Sequence, residues 1–145
     1  MDATWELQKA LKTALAANST LIALLAEGAK SIFDDVPEEE HFPYVTVGDI
    51  QSNANETDTE LGQEHIVTIN TWVARSDRAG GTAGYEGRKL ARDIVSAIYD
   101  ALNHASLTLS GFAFVNMLYQ FSDAFREDED TYRGTIRFRA VTEPT

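Results

Sequence analysis

Apolar and polar residues alternate with period two along several stretches of this chain, and elsewhere they recur at helical spacing. Leu7, Leu11, Ala14 and Leu15 share one face of a helix predicted over Thr4–Ala17, with Ala10 at its flank. Asn18, Ser19 and Thr20 interrupt that pattern and supply capping side chains for a short helix over Leu21–Glu27, which Gly28 ends. Ile32-Phe33 is a candidate start of the sheet. The run Phe42-Pro43-Tyr44-Val45-Thr46-Val47-Gly48 reads as a strand extending to Ile50. From Gln51 to Gln63 no apolar period survives, and this stretch reads as a long solvated loop or the tip of an extended hairpin. Alternation returns at Glu64–Ala74, with Ile66, Thr68, Asn70 and Trp72 on one side and His65, Val67, Ile69, Thr71 and Val73 on the other.

Ser76–Gly81 reads as a loop, and Thr82 as the cap of a helix over Ala83–Asn103 with a stripe of Leu90, Ile94, Ala97, Ile98 and Leu102. Two more strands close the chain, Phe112–Ser122 and Gly134–Pro144, joined by a charged hairpin around Glu127–Asp130. The expected architecture is therefore α+β: a mainly antiparallel sheet of about four strands with helices packed on one face. At 145 residues, with no repeat or linker, the chain reads as one domain spanning 1–145.

Charge sharpens this picture. Residues Ser31 to Ala74 contain no Lys or Arg, yet hold Asp34, Asp35, Asp49, Glu56, Asp58, Glu60 and Glu64 among other acids. Arg133, Arg137 and Arg139 fall on one face of the last strand, because side chains two apart point the same way. Such a strip is either a solvated outer face or an interface. A net charge of −11 argues against a dedicated nucleic-acid binder, whose affinity comes from cations displacing condensed counterions. It suits a wall past which DNA slides without sticking. The absence of cysteine excludes disulfides and thiolate chemistry. The longest apolar run, Leu21–Ala26, is far short of a membrane span, and the first residues lack a basic segment leading into a hydrophobic one, so a cytoplasmic protein without membrane association is expected.

Candidate chemistry is sparse. His41, His65 and His104 lack metal-ligand spacing and read as surface or strand-edge histidines. Glu56 and Asp58 lie in a polar loop without the glycine and terminal glutamate of a calcium loop. Gly80-Gly81-Thr82-Ala83-Gly84 lacks the lysine of a phosphate-binding loop. No nucleophile has a base at recognisable spacing, so neither catalytic residues nor cofactor or metal are expected. Most aromatic residues of the strands serve packing, whereas Trp5 lies off its helix stripe and Phe125-Arg126 stands beside the acidic hairpin as a candidate interface anchor.

Taken in order, Leu7-Gln8-Lys9-Ala10-Leu11, Asp34-Asp35-Val36-Pro37, Phe42–Gly48, His65–Trp72, Leu107-Thr108-Leu109 and Arg137–Glu143 resemble the small tail-completion or tail-terminator proteins of long-tailed phages and gene transfer agents. The resemblance implies a non-enzymatic virion protein, assembled in the host cytoplasm, that forms a hexameric ring on the finished tail tube. Such a ring ends tube polymerisation and offers a joining surface to the head connector, while DNA passes through without specific binding. Its expected partners are copies of itself, the tail tube protein and the head-tail connector protein. A closed ring needs two different patches that meet, and the charge split supplies opposite signs. Arg133, Arg137 and Arg139 of one subunit are thus expected to face Asp34, Asp35, Asp49 and Glu64 of the next, with Glu56, Asp58 and Glu60 on loops facing a partner or the lumen. Two alternatives stay open: a head-tail stopper or joining protein of the same particle, and a dimeric ligand-binding α+β domain with a pocket between sheet and helices.

Overall fold

Leu7, Leu11 and Leu15 stand four residues apart, and all three are fully buried on the inner side of α1 (Thr4–Ala16). Each buried leucine stabilises the fold by roughly 1.5–3 kcal/mol. In this computed structural model, which describes residues 2–38, 41–56, 61–74 and 85–145, they pack with a second stripe on α3 (Tyr85–Leu102). That stripe is Ala91, Ile94, Val95, Ala97, Ile98 and Leu102, with Leu90 half-buried at its margin. Both helices cover the same face of a five-stranded sheet, as Val67, Ile69, Ile136 and Phe138 join their core.

The sheet runs β1 (Ile32–Phe33), β2 (Tyr44–Glu56), β3 (Leu61–Ala74), β5 (Thr131–Pro144) and β4 (Phe112–Arg126) in spatial order. The α+β class and the antiparallel pairing of the four long strands hold as expected. The fifth strand is β1, two residues long and parallel to β2 through Ile32 opposite Val45 and Phe33 opposite Thr46. Two residues are too few to show a period, so its pairing was not legible in the pattern.

One further expectation changes, and one open choice is decided. The segment after α1 is α-helical only over Ser19–Ile22 (α2), where the Asn18 side chain accepts the Leu21 N–H at 2.9 Å as a cap, and a short 3-10 turn follows at Gly28–Ser31. Beyond α2 Leu24 and Leu25 bond three residues back, a tighter winding than α, and the chain then turns at Gly28, whose φ of +60° suits glycine. The polar stretch from Gln51, expected as a solvated loop or the tip of an extended hairpin, takes the second form. It extends β2 and β3 as an antiparallel ladder out to Glu56 opposite Leu61, since backbone pairing satisfies itself while Asn, Gln and Glu side chains stay in water. The expected Ser76–Gly81 loop, the Thr82 cap and the Gly80–Gly84 cluster lie outside the described residues, as do Asp58 and Glu60.

Gly134 lets α3 approach the sheet: a Cβ there would stand 2.7 Å from Val95 Cγ2 and 2.8 Å from Thr71 Cγ2. β4 carries register shifts between Phe114 and Asn116 and between Tyr119 and Phe121. These irregularities re-aim its side chains and interrupt strict alternation along the edge.

Candidate functional site

The face of the sheet away from the helices collects every second residue of β3 and β5. Ile66, Thr68, Asn70 and Trp72 stand opposite Arg139, Arg137, Thr135 and Arg133. The arginine strip therefore lies on the open face, as the period-two pattern expects, but its acids come from its own chain, Glu64 from β3 and Glu127 from the hairpin between β4 and β5.

At one end Arg133 stacks over Trp72, 5.2 Å from the ring centroid, and donates to Glu127 Oε1 at 3.1 Å. Trp72 Nε1 donates to the other carboxylate oxygen of Glu127 at 3.0 Å. Tyr44 backs the indole at 5.3 Å between ring centroids, nearly parallel. In the next row Asn70 links three strands: its Oδ1 accepts from Thr135 at 2.7 Å and from Arg133 at 3.3 Å, and its Nδ2 donates to Asp49 at 3.3 Å. At the far end Arg139 Nε meets Glu64 Oε2 at 2.6 Å.

Arg137 differs from its neighbours. Its guanidinium lies over the Phe121 ring at 5.2 Å and reaches Thr68 Oγ1 at 3.5 Å, and among the described residues it has no carboxylate within 4.0 Å. It forms one wall of an open trough of about 700 Å³ across the sheet, whose opposite wall carries Asp49.

The acids expected to gather opposite the strip divide in three dimensions. Glu64 and Asp49 are on the open face, bonded within their own chain. Asp34 follows β1 and pairs with Lys12 of α1 at 3.7 Å, while Asp35 caps the Val36 N–H at 2.8 Å. Glu56 is exposed at the outer end of β2. The charge asymmetry along the chain is thus partly neutralised in space, because β3 pairs with β5.

A second polar cluster escaped the sequence reading. His65, expected at the surface or a strand edge, is fully buried. Its Nδ1 is 2.6 Å from Ser52 Oγ and its Nε2 is 2.8 Å from Thr142 Oγ1, and Ser52 in turn meets Thr4 at the start of α1. Burial holds His65 below the ordinary imidazole range, against the opposing charges of Asp2 and Glu64. Hydrogen bonds from Thr4 hold the Asp2 carboxyl below its usual range. A serine touching a histidine is half of a nucleophile–base arrangement, but here the far imidazole nitrogen meets a hydroxyl where a carboxylate orienter would stand. The cluster instead ties α1 to β2, β3 and β5. Its one sequence signal was that His65 shares the alternating face of Val67 and Ile69. His41 is exposed and pairs with Glu27 at 2.8 Å, and His104 is exposed at the end of α3.

Residues 9–143 match the family described as tail completion protein gp17. The chain belongs to this tail-completion family. It is 28% identical to the tail completion protein gp17 of Bacillus phage SPP1 over 138 residues, covering 94% of this chain and 95% of that protein. A chain in the solved virion of a native gene transfer agent particle superposes with a TM-score of 0.76 at 27% identity, covering 94% of each. The chain is accordingly a structural component of a phage-type virion tail and not an enzyme.

Proposed function

We propose that this chain closes into a hexameric ring on the end of the tail tube, stops tube growth and presents the joining surface for the head connector. Arg137 supports this reading: it is an exposed cation on a structured face with no carboxylate of its own among the described residues. Closure around a ring requires a heterologous contact, one patch meeting another. In the ring, Arg133, Arg137 and Arg139 of one subunit face the acidic side of the next, drawn from Asp34, Asp35, Asp49 and Glu64. Because Arg133 and Arg139 already hold Glu127 and Glu64 in their own chain, Arg137 is the residue freest to reach across. Glu56, exposed at the outer end of β2, is assigned to contact with a partner or the lumen, and Asp58 and Glu60, outside the described residues, are assigned the same role from the sequence. A net charge of −11 keeps transiting DNA from adhering, and assembly takes place in the host cytoplasm. The trough beside Arg137 is broad, open and polar, unlike the enclosed apolar pocket that a ligand-binding dimer requires.

The deciding experiment is native mass spectrometry together with light scattering over a range of protein and salt concentrations, with and without purified tube ends. Species of six subunits that weaken in salt agree with the ring, and a salt-insensitive dimer overturns it.

A further inference from the structure

Trp5 is 57% accessible, more than any other aromatic side chain among the described residues. It stands on the outer side of α1 with Lys9 and Lys12, away from the buried Leu7, Leu11 and Leu15, and Lys9 Nζ lies 5.9 Å from its ring centroid. Beside the ring a hollow of about 430 Å³ is bounded by Lys12 and Ala16 of α1 and by Asp34, the residue after β1. Lys12 and Asp34 pair at 3.7 Å with side chains 42% and 45% accessible, so solvent screens the pair and either partner is exchanged at little cost.

The trough on the open face carries the matching features. Ile66 and Thr68 form its floor between Asp49 and Arg137. Thr68 is in register with both, opposite Asp49 on one side and Arg137 on the other, so at a strand spacing of about 4.8 Å the two charged residues stand about 10 Å apart along one row. Neither belongs to an ion pair among the described residues. The trough thus offers an apolar and hydroxyl floor between an unpaired cation and an unpaired anion, and the Trp5 face offers an exposed indole beside one charge of each sign.

From this match we infer that the Trp5 face of one subunit seats in the open-face trough of a second copy, with Trp5 over Ile66 and Thr68, Asp34 reaching Arg137 and Lys12 reaching Asp49. This inference rests on the ring reading and names the contact that closes it. The two patches are different and belong to opposite layers of the subunit, one to α1 and the end of β1, the other to the sheet face away from the helices. Every copy therefore presents both, and the contact is heterologous, as closure about an axis requires. Charge alone would also allow two troughs to meet, Arg137 of each against Asp49 of the other. Two hollows set face to face leave both unfilled, whereas an indole projects and fills one. A large aromatic anchor in a recess, with charged groups at its rim, is the usual arrangement where a few residues carry most of the binding energy.

Trp5 and Trp72 are the two tryptophans of the chain, so Trp72→Phe leaves Trp5 as the sole indole reporter. As the ring forms, the emission of this variant should shift to the blue and its quenching by acrylamide should fall several-fold from the level of the free subunit. A ring by mass in which Trp5 is quenched as in the free subunit overturns this contact and leaves the ring standing. A chain that stays monomeric, or forms a salt-insensitive dimer, even with tube ends present overturns both. In the unaltered background, Trp5→Ala should raise the concentration for half assembly by about tenfold or more, with an unchanged unfolding midpoint. A ring that tolerates it overturns the inference. Asp34→Arg should restore most of the assembly that Arg137→Glu loses, and this exchange, read by mass in solution or as ring occupancy of tube ends, tests the contact where Trp72→Phe fails to assemble. Rescue by Asp49→Arg instead marks trough-to-trough pairing and overturns the inference, as does rescue by neither.

Discussion

Arg139 and Glu64 are 75 residues apart in the chain and meet at 2.6 Å on adjacent strands. Each side chain is about one-third exposed, so solvent screens the pair and its worth is that of a surface bridge, about 0–1 kcal/mol. Glu64→Gln should therefore lower unfolding stability by less than about 1 kcal/mol. The exchange Glu64→Arg with Arg139→Glu should recover most of the loss from either single reversal, read by urea titration. A loss of several kcal/mol would show that the pair is buried in the assembled protein.

Arg137→Glu separates folding from assembly. Its side chain is exposed, so the unfolding midpoint should move by no more than about 0.5 kcal/mol. The ring should weaken sharply, because attraction across the contact becomes repulsion, and the difference from wild type should shrink at 1 M salt, where the Debye length is about 3 Å. Equal masses for variant and wild type at low and high salt would remove Arg137 from the interface.

His65 makes stability depend on pH. The unfolded imidazole takes up a proton near 6.5, whereas the buried one resists it, so the unfolded chain binds more protons as pH falls through that value. Stability is full above about pH 7, declines as pH drops through 6.5, and levels off below the folded value. Asp2 acts in a different window: its lowered carboxyl stabilises the fold above about pH 4 and loses that contribution only in stronger acid. Urea midpoints measured from pH 8 to 5 should show the decline, and His65→Gln should flatten it. An equal slope in the variant would assign it to other groups.

Gly134→Val forces a side chain into the contact between α3 and β5, where even a Cβ meets Val95 and Thr71 below 3 Å. Overpacking of this kind costs about 1–3 kcal/mol, so the thermal midpoint should fall by several degrees. An unchanged midpoint would mean that α3 yields freely.

The helices and long strands were legible because each buries one face of a regular element, and burial leaves a period in the sequence. Leu7, Leu11 and Leu15 declare α1, and Val67, Ile69 and Val73 declare β3. Where burial is slight, the period vanishes. The outer ladder, Gln51–Glu56 against Leu61–Ile66, is held by backbone bonds between largely polar residues, and composition alone leaves loop and hairpin tip undecided. The arginine strip was visible for the same reason as the strands, since residues two apart share a face.

What those arginines touch was not visible. The α+β class, the open face and the placement of Arg133, Arg137 and Arg139 on it could be read from the sequence, because each depends on residues close together in the chain. Tertiary structure alone decided that β3 lies beside β5, which couples Arg139 to Glu64 and leaves Arg137 without a carboxylate among the described residues. It also decided that His65 is sealed between Ser52 and Thr142, and that β4 forms an edge. Such pairings join segments tens of residues apart. They are set by which strands pack most apolar surface against the helices, a property of the whole fold that no local pattern records.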